Sequence, residues 1–294
     1  MLSGLKSTAN LTALGRAVSC FEAEPRLRGP DDMAIRFLDP PLSLVPRSRL
    51  LRRLAILLYE RLLPGAYLYT IARTQYIDAV LQQELENGIR QIVILGAGFD
   101  SRAYRIHNSF PDARFIEVDY PANSMRKAQK VSMLLGSPPD YVTFLPLDMN
   151  AESLDSGLSR AGQDPSQCTL FVAEGLTMYL TAAAVDEMLA CIRRRSGARS
   201  SIVFDYVYRS IIEEDTTLYG AAEAVRLVRK RGEPFLFGIA EGEIGRFLAE
   251  RGFECAVDLR PAELERSYVS REDGSLFGRV VGYWSLAYAR RVQE

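Results

Sequence analysis

The sequence predicts an α/β fold in which a mainly parallel sheet carries helices on both faces and follows a helical cap. Apolar segments of strand length recur from residue 91 onward, and amphipathic helical segments separate several of them. Residues 1–88, by contrast, contain helical patterns and no convincing strand. Because alternating strands and helices are typical of a parallel sheet with helices on both faces, we expect a sheet-containing body over residues 89–294.

The N-terminal segment, residues 1–88, is predicted to form the helical cap. Leucines recur at helical spacing before Pro64 and Gly65, which end that helix. The leucines are Leu50, Leu51, Leu54, Leu57, Leu58 and Leu62, with Arg52, Arg53 and Arg61 on the other face. A second helix is marked by Ile77, Val80, Leu81 and Leu85. It ends near Asn87 and Gly88.

The body is predicted to contain seven strands. They lie at 91–95, 114–118, 142–145, 169–173, 201–205, 253–258 and 279–288. The last two are joined without a clear helix, so we expect an antiparallel final hairpin. Residues 206–238 fit no strand–helix–strand unit, and we interpret them as an insertion that forms a lid over the site.

Composition and charge exclude several classes of protein. Lys and Arg together number 36 and Asp and Glu 37, which argues against a general nucleic-acid binder. The four cysteines, Cys20, Cys168, Cys191 and Cys255, match no metal-site spacing. No apolar run reaches the length of a transmembrane helix, and residues 1–20 lack the apolar core of a secretory signal. We therefore expect a cytoplasmic enzyme with no metal, nucleic-acid or membrane partner.

The segment after the first strand is the most informative part of the chain. Gly96-Ala97-Gly98 follows directly on an apolar strand, and glycines there allow a tight turn and a close approach to a ligand. A dinucleotide fingerprint would have a third glycine where Ser101 stands. The second strand ends at Asp119, where a carboxylate can hold the two ribose hydroxyls. A ribose site without a full pyrophosphate cradle suits S-adenosylmethionine.

Acidic residues follow each of the first five strands. They are Asp100, Asp119, Asp148, Glu174 and Asp205. Since the carboxyl ends of parallel strands line one crevice, these carboxylates are expected to surround the ligand. A cationic sulfonium tolerates negative neighbours better than two phosphates do. The pattern therefore favours S-adenosylmethionine over the alternative, an NAD-dependent oxidoreductase on the same fold.

The glycine-rich segment, residues 96–105 (Gly-Ala-Gly-Phe-Asp-Ser-Arg-Ala-Tyr-Arg), resembles the signature of the leucine carboxyl methyltransferase family, whose bacterial members include natural-product O-methyltransferases. Segments 116–121, 147–149, 172–181 and 247–253 agree with the same family, so the resemblance spans roughly residues 70 to 260. It implies S-adenosylmethionine as cofactor and a Rossmann-like class I methyltransferase sheet. Ser101 departs mildly from the threonine usual in the family, and residues 1–60 align with it only at Arg36.

The resemblance also implies roles for individual residues. Asp119 would hold the ribose and Asp148 would accept from the adenine amine, with Met149 beside it. Gly96 and Glu174 would line the methionine end, and Arg73 would grip the cofactor carboxylate from the N-terminal helices. The remaining cofactor-binding candidates are the neighbouring Ala97, Gly98 and Tyr120, and Arg36, which stands where many members have a lysine or arginine.

The sequence leaves the methyl acceptor open. Tyr179, Tyr206 and Arg73 are candidates to orient it, and His107, the only histidine, is a candidate base although it lies in a polar loop. A carboxylate acceptor is ionised near pH 7 and needs no base, whereas a hydroxyl does. The shortage of bases favours a carboxylate of a small molecule or a peptide end. A protein that binds the cofactor without catalysis is the remaining alternative.

Overall fold

The computed structural model describes residues 8–232 and 234–292. Its α-helices are α1 (Thr8–Ser19), α2 (Ala34–Phe37), α3 (Arg49–Leu62), α4 (Ala66–Glu86), α5 (Arg102–Ile106), α6 (Pro121–Leu135), α7 (Leu154–Arg160), α8 (Ala182–Arg194), α9 (Arg209–Ile212), α10 (Ala221–Arg231), α11 (Ile244–Ala249) and α12 (Pro261–Tyr268). Its strands are β1 (Gln91–Leu95), β2 (Arg114–Asp119), β3 (Val142–Pro146), β4 (Thr169–Ala173), β5 (Ser201–Val207), β6 (Phe253–Leu259) and β7 (Trp284–Arg291).

The seven strands form one sheet in the order β3-β2-β1-β4-β5-β7-β6. The first five are parallel, and β7 runs antiparallel to both β5 and β6. The predicted mainly parallel sheet with an antiparallel last strand is thereby confirmed. Every residue of β1 and β4 is buried, because these central strands are covered by helices on both faces.

The predicted final hairpin is wrong in one respect. Strands β6 and β7 do pair antiparallel, but residues 260–283 separate them and include helix α12. Strand β7 also begins at Trp284, five residues later than the predicted 279. Only Leu264 of α12 is buried. A helix with so little buried apolar surface shows no clear apolar stripe in the sequence.

Helix α4 is the longest helix of the described structure and contacts β4 and β5 of the sheet. Most of its residues are buried, and α1 packs against it. The sequence predicted only its second half, because the first half has buried residues all round and therefore no single apolar stripe. The first half includes buried Tyr69 and Arg73, which lie near the carboxyl ends of the strands.

Helix α3 forms where predicted, but its leucine stripe faces outward. The six predicted leucines are 40–67% exposed. The side that packs against the rest of the protein carries Ile56 and Tyr59 instead. Ser48 caps the helix by accepting a hydrogen bond from the Leu51 amide. This cap stabilises the start of the helix, whereas the exposed leucines contribute no burial.

Replacing leucines on this outer face is expected to leave stability almost unchanged. The double substitution Leu54→Gln and Leu57→Gln should lower the free energy of unfolding by less than about 1 kcal/mol, because both side chains lie in solvent. Leu81→Ala on α4, at a site with no exposed surface, should cost about 2–5 kcal/mol. Urea unfolding of the three proteins measures this contrast. A loss in the double variant comparable to that of Leu81→Ala would mean that the leucine face is covered.

The described residues of the predicted insertion, 206–232 and 234–238, run from the end of β5 towards α11. The segment contains the end of β5, helices α9 and α10, and an irregular stretch that reaches Met178, whose carbonyl accepts from the Leu236 amide at 2.7 Å. It returns to the sheet where the Ile239 amide donates to the Val207 carbonyl. Across the described residues, no helix combines the length and apolar character that a membrane crossing requires.

Candidate active site

A cavity of about 680 Å³ opens at the carboxyl ends of β1, β2 and β4. In the sheet, β2 lies on one side of β1 and β4 on the other. The strand order therefore reverses next to β1, and ligands of such sheets bind at this point. The volume lies in the range of small-molecule and cofactor sites. Helices α1, α3, α4, α6 and α10, together with Phe235 and the start of β7, also line it.

The turn after β1 forms the floor of one half of the cavity. Gly96 has φ +67°, a conformation that favours glycine, and a Cβ there would lie 3.1 Å from the Leu176 side chain, which would have to shift. Ala97 and Gly98 line the cavity beside it. This turn has the shape that a nucleoside edge needs for close approach to the backbone.

Asp119 stands at the end of β2 with its carboxylate held in place. It accepts hydrogen bonds from the backbone amides of Gly98 and Tyr120, the latter at 2.6 Å, and from the Asn123 side chain at 3.1 Å. It lines the cavity and is 9% exposed. The carboxylate is thus oriented towards the cavity at the position from which it would hold a ribose.

Glu174, directly after β4, is surrounded by three arginines. Its oxygens lie 2.6 Å from Arg102, 3.0 Å from Arg73 and 3.4 Å from Arg16. Burial alone would raise the pKa of this carboxyl, but Arg73, Arg102 and Arg16 outweigh burial and hold the pKa well below its usual range. Glu174 is therefore an anion at the predicted methionine end of the site.

Arg73 links Glu174 to a second buried carboxylate, Asp205. The Arg73 guanidinium lies 2.5 Å from Asp205, which also accepts from the Gly175 amide at 2.6 Å and from the Tyr69 hydroxyl at 3.4 Å. Burial raises the pKa of Asp205, partly offset by Arg73. Asp205 is thus occupied as a support for Arg73 and for the turn after β4.

Arg16 of α1 is a site residue that sequence reasoning missed. It is 5% exposed, lines the cavity, and donates to the Phe99 carbonyl at 2.7 Å as well as pairing with Asp31 at 3.0 Å. The available signal was a lone arginine on the buried apolar face of α1 (Ala13, Leu14, Ala17 and Val18). A charge on such a face requires a buried partner.

Arg36, by contrast, is exposed on α2 and does not line the cavity. The structure therefore does not bring Arg36, one of the predicted cofactor-binding residues, to the cavity wall. Arg16 and Arg73 are the two arginines that reach the predicted methionine end of the cavity. The difference arises because α2 presents Phe37 to the core, which directs Arg36 to solvent.

Two of the three catalytic candidates lie elsewhere. Tyr206 is buried on β5 and donates to Asp258 of β6 at 2.9 Å, and His107 stacks on the Tyr141 ring at 3.5 Å. Neither lines the cavity. Side chains alternate along β5, so Asp205 faces the site and Tyr206 faces away from it. Tyr179 does line the cavity.

Of the residues predicted to lie near the adenine, only some line the cavity. Tyr120 lines the rim and is 56% exposed. Asp148 follows β3 and accepts from the Asn150 amide at 3.0 Å, and Met149 is partly buried beside it. Neither Asp148 nor Met149 belongs to the cavity wall. Their contacts to adenine therefore stay predictions.

A family model described as leucine carboxyl methyltransferase matches residues 9–193, which include α1 from its second residue, the glycine-rich turn, Asp119 and Glu174. The chain belongs to this family. A Frankia alni protein named as an S-adenosyl-L-methionine-dependent methyltransferase is 32% identical over 223 residues, or 72% of each chain. A Streptomyces avermitilis protein of the same designation is 35% identical over 144 residues, about half of its length.

Solved structures share the fold of this methyltransferase. A Thermobifida fusca methyltransferase has a TM-score of 0.61 at 18% identity and covers 84% of this chain and 90% of its own. The carbon methyltransferase CurJ has a TM-score of 0.52 at 15% identity, with 99% of this chain and 69% of its own covered. Since a carbon methyltransferase shares the fold, the fold alone does not choose the acceptor atom.

The predicted cofactor, S-adenosylmethionine, is confirmed by the named relatives, which sets aside the NAD-dependent alternative. The cavity fits it, because the turn at Gly96 permits close approach and the Nε atom of Arg73 is a buried donor that has no partner among the described residues. Asp119 would hold the ribose. Arg73 and Arg16 would hold the carboxylate of the methionine part and Glu174 its ammonium group.

The other half of the cavity of this methyltransferase is apolar and aromatic. Its wall consists of side chains from α1, α3, α4, α10, the loop after β4 and the start of β7. They include Leu11, Tyr59, Leu63, Tyr69, Leu176, Tyr179, Leu227, Val228, Phe235, Tyr283 and Trp284. The N-terminal helices and the described residues of 206–238 thus both contribute to this apolar wall.

Proposed function

We propose that this S-adenosylmethionine-dependent methyltransferase methylates a carboxylate oxygen and forms a methyl ester on a small molecule or a peptide end. One observation carries the proposal: the three carboxylates of the described cavity wall are already engaged. Asp119 accepts from two backbone amides, Glu174 is held by three arginines, and Asp100 pairs with Arg102 at 2.5 Å. A carboxylate acceptor, with a pKa of about 4, needs no base.

The hydroxyls near the acceptor support the same conclusion. Burial raises the pKa of Tyr69 and of Tyr283, so neither ionises readily to serve as a base. Tyr69 in addition already donates to Asp205. An acceptor that arrives as an anion suits such a wall better than a phenol or an alcohol, which would have to lose a proton there.

When bound, the cofactor supplies a methyl group on a cationic sulfur, which the acceptor oxygen takes by displacement with no proton transfer. The protein's task is then to bind and position the two reactants. Arg16 and Arg73 hold the cofactor end, and Tyr179 orients the acceptor. Tyr59 of α3 and the apolar side chains of α10 exclude water, which strengthens the attraction between an anionic acceptor and a cationic methyl donor.

Methyl-labelled S-adenosylmethionine tests this function with a panel of small carboxylic acids and with the phenols and alcohols of matching carbon skeletons. We expect label to enter the acids only, and mild alkali to release it as methanol, because esters hydrolyse and ethers do not. Asp119→Ala should lose transfer by weakening cofactor binding. Label that survives alkali would contradict the ester. Calorimetric binding of the cofactor with no transfer to any acceptor would favour a non-catalytic protein.

The rate of ester formation should also be insensitive to pH. Above about pH 6 an acid of pKa about 4 is fully ionised, so kcat should stay level up to pH 9. A general base with a pKa near neutrality would instead give a rate that rises tenfold per pH unit below that pKa. Initial rates in overlapping buffers measure the profile. A slope of one on the acid side of pH 7 would contradict direct attack by a preformed carboxylate.

A further inference from the structure

The acceptor half of the cavity is bordered by a cluster of aromatic rings. Trp284 stacks on Tyr69 with ring centroids 5.1 Å apart and on Tyr283 at 5.9 Å. Phe235 meets Trp284 edge-on at 6.1 Å and Tyr179 at 5.7 Å. All five rings line the cavity. These separations and tilts are those at which aromatic rings attract one another through their edges and faces.

The rings come from four separate parts of the chain, yet each is fixed by the backbone. Tyr69 belongs to α4, and Trp284 opens β7 opposite Val207 of β5. Tyr179 lies in a short 3₁₀ turn after β4, and the Met178 carbonyl of that turn accepts from the Leu236 amide. That bond holds Phe235 beside Tyr179. The cluster is therefore built into the fold before any ligand arrives.

The side chains that surround the aromatic cluster in the cavity are mainly apolar. Leu227 and Val228 of α10 face the same space, and the Arg73 guanidinium lies 5.5 Å from the Tyr69 ring and 5.9 Å from the Trp284 ring. The indole N–H of Trp284 has no hydrogen-bond partner among the described residues. A flat apolar group that carries an oxygen acceptor or an anion matches these features.

We propose that the methyl acceptor is an aromatic carboxylic acid whose ring lies against Trp284 and Phe235, a substrate class that rests on the proposed function. The ring of the acceptor packs against the edges and faces of the five rings that border the cavity. One carboxylate oxygen then forms a bond to the methyl carbon as the methyl–sulfur bond breaks, and the electron pair of that bond goes to sulfur. The products are the neutral methyl ester of the aromatic acid and S-adenosylhomocysteine.

An aliphatic acid of the same size would fill the apolar space but would gain nothing from ring geometry. The contrast between a phenyl and a cyclohexyl group therefore isolates the aromatic contribution. Trp284 makes the contrast measurable, because it is the only tryptophan of the chain and lies in the cavity wall. Its fluorescence reports binding directly, whether or not transfer follows.

The test is a titration of the protein, saturated with S-adenosylhomocysteine, with 3-phenylpropanoate and with 3-cyclohexylpropanoate. We expect the phenyl acid to bind about tenfold more tightly, the ratio expected from one or two ring contacts. Phe235→Leu should reduce that ratio to about two. The matched control, Phe247→Leu on α11, alters an aromatic side chain outside the cavity wall and should leave the ratio unchanged.

Two outcomes separate this inference from the proposed function. Equal binding of the two acids, or tighter binding of the cyclohexyl acid, would overturn the aromatic class even if both are converted to esters with labelled cofactor. A preference for the phenyl acid that Phe235→Leu reduces to about twofold, without transfer to any acid, would support the aromatic subsite and count against ester formation.

Discussion

Arg73→Met is expected to abolish methyl transfer and to lower the free energy of unfolding by about 3–5 kcal/mol. The reason is that Asp205 has no exposed surface and would keep only the Gly175 amide and the Tyr69 hydroxyl as partners. Glu174 would also lose the arginine that lies 3.0 Å away. Removing one partner of a buried ion pair leaves an uncompensated charge, which costs more than the pair contributes.

Thermal or urea unfolding and calorimetric titration with S-adenosylmethionine measure the two effects. The matched control is Arg36→Met, which removes an exposed arginine that lies outside the cavity and should change neither quantity. Arg73→Lys should recover part of the stability but little of the cofactor affinity, because an ammonium cannot bridge two carboxylates as the guanidinium does. Wild-type stability and affinity in Arg73→Met would contradict the assigned role.

Lys127→Met is expected to destabilise the protein by about 3–5 kcal/mol at pH 8 and by about 1 kcal/mol less at pH 5. Lys127 is 1% exposed, and its Nζ lies 2.8 Å from Glu117 and 3.4 Å from the Ala97 carbonyl in the cavity floor. Burial raises the pKa of Glu117 to about 7 even though Lys127 opposes that shift. Without Lys127 the carboxyl has to stay protonated or lie buried as an unpaired anion.

The expected loss of stability with rising pH follows from the raised pKa of Glu117. A carboxyl whose pKa is higher in the folded protein than in the unfolded chain binds protons more tightly when folded. In the wild type its contribution to stability is therefore lost as the pH rises from about 4.5 to about 7. Without Lys127 the folded-state pKa is higher, so the variant goes on losing stability above pH 7, where the wild type no longer does. The double variant Glu117→Gln/Lys127→Met removes both charges, so its stability should depend less on pH than that of Lys127→Met. Equal losses for Lys127→Met at pH 5 and pH 8 would contradict this account.

The sheet could be predicted from the sequence because its central strands are buried on both faces. β1 and β4 are continuous apolar runs and appear within the predicted bounds. The first half of α4 and the short helices α1 and α12 were missed. An apolar stripe marks a helix only when one side is buried, and α4 is buried nearly all round. The leucines of α3 form an apolar stripe and yet face outward. An apolar stripe therefore predicts that a helix forms, but not which of its sides packs against the protein.

The half of the site built on strand ends was also accessible from the sequence. Gly96, Asp119 and Glu174 follow their strands directly, so the topology alone brings them to one cavity. The half built on the cap was less accessible, because Arg16 reaches Glu174 across 158 residues of chain. Arg36 and His107 have side-chain types that suited the predicted roles, but packing places both outside the cavity wall.

The most direct measurement is a crystal structure of the protein with S-adenosylhomocysteine. The account predicts the ribose hydroxyls on Asp119, the homocysteine carboxylate within hydrogen-bond distance of Arg73 or Arg16, and the sulfur facing the aromatic half of the cavity beside Tyr179. A ribose that makes no contact with Asp119, or a homocysteine end that extends past Tyr120 to solvent, would contradict it.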